Sequence, residues 1–447
     1  MSERISVSVD GGSLSTEQID GNFNDVHPPL TAAQAMAESA RCLYCFDAPC
    51  IKSCPTSIDI PKFIHQIRTG NIAGSARTIL SSNIMGGTCA RVCPTEILCE
   101  GSCVMNAAGE RPIMIGRLQR HAVDGFLAMD RVHPFRRVPS TGKRIAVAGA
   151  GPAGLACAHR AAMLGHEVTV FEARPKPGGL NEYGLAAYKM TGDFARAEVE
   201  FLLAVGGITV EYGKAFGRNL SLDDLRKGYD AVFLAVGLGD VNALGVPGEE
   251  FAGVKDAIEF IEELRQTEPK SVIKVPDRIV VIGGGNTAID AAVQAKRLGA
   301  KDVILAYRRG PEQMPATEWE QDLAKTNNVR VIYWAKPVRI IGSKRVESVS
   351  FEYTRLVDGK LTGTGKTFSL PVEMVLKAIG QVLHEGALSG IELDRRKIKV
   401  DERYRTGLPG VFAGGDCIDT GEDLTVQAVD DGTKAAESID AYLKEGK

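Results

Sequence analysis

Two strand–glycine-loop–helix units occur in this one chain, and they restrict its fold more than any other feature. The first runs from Ile145-Ala146-Val147-Ala148 into Gly149-Ala150-Gly151-Pro152-Ala153-Gly154. An alanine-rich helical stretch follows, then a second strand, His166-Glu167-Val168-Thr169-Val170-Phe171, closed by Glu172. The second unit runs from Arg278-Ile279-Val280-Val281-Ile282 through Gly283-Gly284-Gly285-Asn286-Thr287-Ala288 to Val303-Ile304-Leu305-Ala306-Tyr307. Short apolar runs without alternation suit parallel strands covered on both faces. The fold class is therefore α/β, with two Rossmann-like dinucleotide-binding domains.

In the first loop each residue type has a task. Gly149 makes the tight turn, Gly151 lets the backbone approach a pyrophosphate, and Gly154 allows helix and strand to pack closely. Pro152 and Ala153 open the helix, whose N-terminus carries partial positive charge for the phosphates. Glu172, 23 positions past Gly149, is placed to accept from ribose hydroxyls. Gly178-Gly179-Leu180 follows shortly, and Phe412-Ala413-Gly414-Gly415-Asp416 lies near the C-terminus. A strand ending in Gly-Gly-Asp sets the Asp416 carboxylate beside backbone N–H groups, suited to FAD. Because Asp416 is so distant in sequence, the FAD domain is read as discontinuous, with the second nucleotide domain inserted in it. A plain turn with a helix-capping Asp is the alternative for that motif.

The second loop has the form G-x-G-x-x-A, with Gly283, Gly285 and Ala288 at the marked positions and Asn286 and Thr287 opening the helix. Its second strand ends in Tyr307-Arg308-Arg309 rather than in an acid. A carboxylate there would accept from a 2′-hydroxyl, whereas guanidinium groups pair with a 2′-phosphate. That chemistry points to NADPH. A solvated basic strand end is the other reading. Ala378, Gly380, Thr425 and Val426 complete the candidate dinucleotide contacts.

Ten cysteines are present, eight of them between Cys42 and Cys103. A disulfide scaffold belongs to small secreted domains, and 447 residues is far larger. The spacing is Cys42-x2-Cys45-x4-Cys50-x3-Cys54-Pro55, then Cys89-x3-Cys93-Pro94 and Cys99-x3-Cys103. Runs ending in Cys-Pro, with eight thiolates in all, give the arithmetic for two [4Fe–4S] clusters. Zinc held by four thiolates is the alternative. Zinc, however, has no role beside a flavin that divides a hydride into single electrons. Apolar residues at Ile60, Phe63, Ile64 and Ile67 mark a helix face in this region. A Pro/Arg/Ser/Gly linker at 134–142 ends it.

Composition removes other classes. Hydrophobic residues make up 44% and charged residues 24%, which excludes disordered and fibrous chains. A net charge of −3 offers no basic field for nucleic acid or an anionic membrane. Met1-Ser2-Glu3-Arg4 leads into no apolar stretch, and no run nears the roughly 20 apolar residues of a membrane span, so the expected location is cytoplasmic.

Taken together, these motifs resemble the electron-input half of dihydropyrimidine dehydrogenase, a separate subunit of an NAD(P)-dependent enzyme in bacteria. The glutamate synthase small subunit is its close relative. The resemblance spans roughly residues 30 to 445. It is carried by Ala33 to Ala40 leading into Arg41-Cys42-Leu43-Tyr44-Cys45, by Asp47-Ala48-Pro49-Cys50, and by Cys89-Ala90-Arg91-Val92-Cys93-Pro94-Thr95 with Gly116-Arg117-Leu118-Gln119. It implies one cluster on Cys42, Cys45, Cys50 and Cys103, and another on Cys54, Cys93 and Cys99 with Gln119 as the fourth ligand. Cys89 then becomes a bystander, although spacing alone would select it. Lys189 falls where the family has an Arg near the flavin, keeping the charge without the bidentate fork. NADPH-binding members carry a further basic residue after the Arg pair, where this chain has Gln313-Met314-Pro315, and bacterial members are often NADH-linked.

The domains expected are a helical iron–sulfur domain at 1–138, FAD-binding segments at 139–255 and 376–447, and an NAD(P)H-binding domain at 256–375. The implied function is an NAD(P)H-oxidising subunit passing electrons through FAD and two clusters to an FMN-containing barrel subunit that reduces uracil and thymine. No residue is assigned a covalent catalytic role. The rival readings are a glutamate synthase small subunit, a stand-alone NADPH–acceptor reductase, and a nucleotide-binding iron–sulfur sensor.

Overall fold

A computed structural model describes residues 14–129, 133–384 and 388–446. The opening Met1-Ser2-Glu3-Arg4 lies outside them. The chain forms two compact units. The larger comprises Asp25–Leu185, Lys189–Asn242 and Gly380–Lys447; the smaller holds Ala243–Ile379, Ala186–Tyr188 and the described residues up to Asn24.

The larger unit begins with short helices, including Ala32–Ser39, Ile60–Arg68, Ile72–Ser82, Gly86–Val92 and Ile115–Leu127. Their starts are written in the sequence. Thr31 and Gln34 form a capping box, and Asp59 caps the helix Ile60–Arg68, which has Pro61 in its first turn. Ile60, Phe63, Ile64 and Ile67 are buried, as the periodicity predicts. Burying an aliphatic or aromatic side chain stabilises by roughly 1.5–3 kcal/mol each, so this face holds the helix down.

A five-stranded parallel sheet follows, in the order Val411–Ala413, Ala231–Leu234, Arg144–Ala148, Glu167–Glu172, Ile208–Tyr212. Ile145, Val147, Val170, Phe233 and Phe412 sit in its core. The helices Pro152–Met163 and Thr425–Lys444 cross so closely that a Cβ on Gly432 would strike the Ala153 carbonyl. The strands Ile208–Tyr212 and Ala231–Leu234 carry no motif and escape the sequence reading.

The smaller unit has its own five-stranded parallel sheet, ordered Val254–Asp256, Met374–Ala378, Arg278–Gly283, Asp302–Ala306, Arg330–Ile332. Its first strand straddles the expected limit at 255/256. A three-stranded antiparallel sheet, Ala335–Gly342, Val346–Val357 and Lys360–Pro371, was not expected from the sequence. Val349 and Phe351 are buried, and Phe351 stacks on Phe368 at 5.5 Å.

Candidate dinucleotide and iron–sulfur sites

In the larger unit the helix Pro152–Met163 starts directly after Gly151, as a phosphate-binding loop requires. The Ala150 N–H donates to Glu172 Oε2 at 2.9 Å and the Arg174 N–H to Oε1 at 2.8 Å, so backbone donors aim the carboxylate. The Gly178 N–H donates to the Ala150 carbonyl at 2.8 Å, which folds the Gly178–Gly179 turn over the loop. Gly179 has φ +55, and a Cβ there would lie 2.7 Å from Gly151 Cα. Only glycine fits that approach. Around Gly151 itself nothing but Gly179 comes within 4 Å of an added Cβ, leaving a backbone-lined cradle.

The C-terminal motif joins the same place. A Cβ on Gly415 would meet the Ala153 side chain at 2.8 Å. Thr425 donates to Asn181 Oδ1 at 3.0 Å, bringing the start of the last helix to the turn that carries half-exposed Leu180. Val426 is buried beside it in sequence. Burial, helped by repulsion from Asp423 and opposed by Lys397, pushes the Asp416 carboxyl up to about 6. Lys189 is buried, directly after the Ala186–Tyr188 segment. Gly380 accepts from the Asn242 N–H at 3.1 Å, within the larger unit.

In the smaller unit the helix Asn286–Arg297 starts directly after Gly285, and nothing lies within 4 Å of a Cβ built there. The Ala378 carbonyl lies against Gly283, its register partner, which places Ala378 at this loop. Asn286 Oδ1 accepts from the Thr317 N–H at 3.2 Å; Thr287 is half-buried and Ala288 fully buried. The Arg308 carbonyl accepts from the Thr354 hydroxyl at 2.7 Å, and the Arg309 carbonyl from the Trp334 N–H at 3.1 Å. Arg308 is exposed and Arg309 half-buried. Among the described residues neither guanidinium has a carboxylate partner, while many other surface arginines do.

All ten cysteines are free thiols. Cys42, Cys45, Cys50 and Cys103 line one pocket, whose other walls include Leu43, Ile60, Ile64, Met105 and Ile115. Burial, with repulsion from Cys42, Cys103 and Cys45, pushes the Cys50 thiol up to about 12. Cys42 rises for the same reasons. Cys54, Cys93 and Cys99 form a second group. Cys93 is raised well above an ordinary thiol, first by its hydrogen bond with Cys89, then by burial, Cys99 and Cys54. Burial, with Glu100 and Cys54, raises Cys99.

Thiolates crowded this way need a cationic core to be stable, and a cluster supplies one. Among the described residues no three His, Cys, Asp or Glu side chains converge on a single-ion position. Four thiols lining one pocket are the donor set that a [4Fe–4S] cluster takes. Gln119 is buried, and its Nε2 donates to the Gly86 carbonyl at 2.7 Å. Cys89, expected to be a bystander, lies within hydrogen-bond reach of Cys93.

Sequence reasoning missed Glu198. This fully buried carboxylate accepts from the Gly87 N–H at 2.8 Å, the Thr88 N–H at 3.0 Å and the Thr88 hydroxyl. It therefore anchors the helix that bears Cys89. Burial pushes it up to about 7, against those three hydrogen bonds and Arg91. An acid in an amphipathic helix gives no signal of such a role.

Comparison with known proteins decides the family. The pattern for pyridine nucleotide-disulphide oxidoreductases matches residues 143–432, and that for dihydropyrimidine dehydrogenase domain II, 4Fe-4S cluster, matches residues 19–131. The chain belongs to the pyridine nucleotide-disulphide oxidoreductases. Like others of this family it is an NAD(P)H-dependent oxidoreductase, with FAD- and NAD(P)-binding folds, here joined to a 4Fe-4S domain. That N-terminal match sets zinc aside. The NAD-dependent dihydropyrimidine dehydrogenase subunit PreT of Escherichia coli (strain K12) is 34% identical, over 94% of this chain and 97% of that protein. The glutamate synthase [NADPH] small chain of Halomonas elongata is 33% identical, over 94% and 93%. Mycobacterium tuberculosis FprA, solved in complex with NADPH, shares the oxidoreductase fold at a TM-score of 0.58 and 20% identity, covering 69% of this chain and 86% of that one. No helix among the described residues is long and apolar enough to cross a membrane.

Proposed function

We propose that this chain takes hydride from NAD(P)H onto FAD and sends single electrons through two [4Fe–4S] clusters to an FMN-containing barrel subunit. That partner reduces uracil and thymine to their 5,6-dihydro forms. The observation that carries the reading is the four-thiol pocket of Cys42, Cys45, Cys50 and Cys103, built in the same unit as the flavin loop. The 34% identity to a protein named as a dihydropyrimidine dehydrogenase subunit supports the choice of reaction.

Bound flavin supplies the two-electron to one-electron conversion. The chain's own residues orient and shield. The loop 149–154 and the Gly178–Gly179 turn receive the dinucleotide, Glu172 the ribose and Asp416 the ribityl region. Gly283, Gly285 and Ala288 receive NAD(P)H, with Arg308 and Arg309 at its 2′ position. Cys42, Cys45, Cys50 and Cys103 hold one cluster; Cys54, Cys93, Cys99 and Gln119 hold the other. The NAD(P)H-binding domain is read as inserted between two FAD-binding segments. This is supported by strand Val411–Ala413 pairing with Ala231–Leu234 although the other sheet's strands come between them in sequence. The location we propose is cytoplasmic.

The test separates the chain from its partner. The purified chain should oxidise NAD(P)H with ferricyanide or a dye and form no dihydrouracil. Adding a barrel subunit encoded beside it should restore uracil reduction. Dihydrouracil from the chain alone would overturn the reading. So would stimulation by a glutamate synthase large subunit only, which is the rival favoured by the 33% identity to that small chain.

A further inference from the structure

Asp431 has no place in the motifs above, yet it is only 2% exposed and both its oxygens are engaged. Oδ2 accepts from the Gly415 N–H at 3.0 Å. Oδ1 accepts from the Tyr404 hydroxyl at 3.1 Å and from the Gln427 amide at 2.8 Å. Its neighbour Asp430 pairs instead with Lys434 at 2.6 Å, so only one of the two acids reaches the turn.

Three features show that this contact constrains geometry. Gly415 holds φ +79 and Tyr404, which is not a glycine, holds φ +59. A left-handed tyrosine is strained and persists only where its surroundings hold it. Asp431 grips both positions. A Cβ on Gly414 would lie 3.2 Å from the Asp431 Cβ, so helix and turn are already in contact. At the next residue, Gly432, the helix packs directly onto the Ala153 carbonyl in the first turn of the flavin-loop helix. Asp431 cannot move without moving that packing. It also lies near enough to Asp416 to repel its charge.

We propose that Asp431 is a positioning residue for the flavin dinucleotide: by holding the Gly415 N–H it fixes the Gly414–Asp416 turn, and with it the Asp416 carboxylate, against the N-terminus of the helix Pro152–Met163. This rests on the reading that the cradle takes FAD. The carboxylate also places a fixed negative charge beside the flavin-binding turn, screened by the Tyr404 and Gln427 donors. A negative charge there disfavours adding electrons to the flavin.

The experiment compares Asp431→Asn and Tyr404→Phe with wild type in the full-length protein at pH 8. FAD content, the FAD dissociation constant on reconstitution, the flavin midpoint potential and iron per chain are read together. Asp431→Asn should weaken FAD binding about tenfold or more, as loss of a charge-assisted hydrogen bond does. It should move the flavin potential positive and leave the iron content unchanged. Tyr404→Phe removes a donor and leaves the charge, so the potential should move negative. Opposite shifts are the signature that a merely structural role would not give. If Asp431→Asn fails to fold, Tyr404→Phe still decides through its shift. Unchanged affinity and potential in the variants that fold would overturn the proposal. Wild-type protein holding no FAD would instead bring down the functional reading on which it stands.

Discussion

The side-chain amide of Gln119 donates to the backbone carbonyl of Gly86 at 2.7 Å, one helical turn ahead of the stretch that carries Cys89. This uses the Gln119 nitrogen and leaves its oxygen as the only atom able to ligate iron. Cys89 is the competing ligand, since its sulfur lies within hydrogen-bond reach of Cys93. Cys89→Ser should keep both clusters, because a hydroxyl preserves the contact to Cys93. Gln119→Ala should perturb one cluster. Iron analysis and electron paramagnetic resonance check this. If Cys89→Ser loses four irons and Gln119→Ala none, the eighth ligand is Cys89.

The same thiol groups set the metal content. The two four-iron clusters proposed would give about eight irons per chain and broad absorbance at roughly 400 nm beside the flavin bands. Elemental analysis with little iron and much zinc would contradict the two-cluster assignment.

Glu198 ties helix Gly86–Val92 to helix Phe194–Leu203, and its raised carboxyl has a stability signature. Between about 4.5 and about 7 it is protonated in the fold and ionised in the unfolded chain. The unfolded chain then binds fewer protons, so this group's contribution falls as pH rises through that window, by about 3 kcal/mol in all. Buried His159 acts in the opposite sense. Its pKa is lowered to about 3, so its contribution grows as pH rises from about 3 to 6.5. The two partly cancel in the native protein. Glu198→Gln removes one of them, so its stability relative to wild type should improve steadily from pH 4.5 to 7. Denaturant titrations at several pH values read this difference, and parallel wild-type and variant profiles would contradict it.

What the sequence showed and what it hid follow from the range of each interaction. The glycine loops, the amphipathic face of Ile60, Phe63, Ile64 and Ile67, and the clustered cysteines are local patterns, each fixed by its neighbours in the chain. Glu198 and Asp431 act across 110 and 16 residues respectively, and nothing adjacent to either marks the partner. The antiparallel sheet at Ala335–Pro371 was missed for another reason. Its last strand, Lys360–Pro371, is largely exposed and carries Gly363 and Gly365, so it lacks the apolar alternation that marks a half-buried strand.

We propose that Arg308 and Arg309 set the choice between NADH and NADPH. A 2′-phosphate carries close to two negative charges, and a charge-assisted hydrogen bond to it contributes roughly 1.5–3 kcal/mol net. One such contact would favour NADPH over NADH by about 10- to 100-fold, and two by more. Screening and the ordering of exposed side chains reduce this for Arg308, which is exposed; half-buried Arg309 loses less. The backbone at both positions is already held, by Thr354 and Trp334, so only side-chain rotamers remain to be ordered. The two relatives differ, one named NAD-dependent and the other NADPH. The unpaired guanidinium groups favour NADPH here, because a 2′-hydroxyl would leave both merely hydrated. Arg308→Ala should therefore raise the KM for NADPH about tenfold and barely alter that for NADH. Wild-type kcat/KM with the two cofactors decides the matter: a clear preference for NADH would make the arginine pair a solvated strand end, and the variant would then affect neither cofactor.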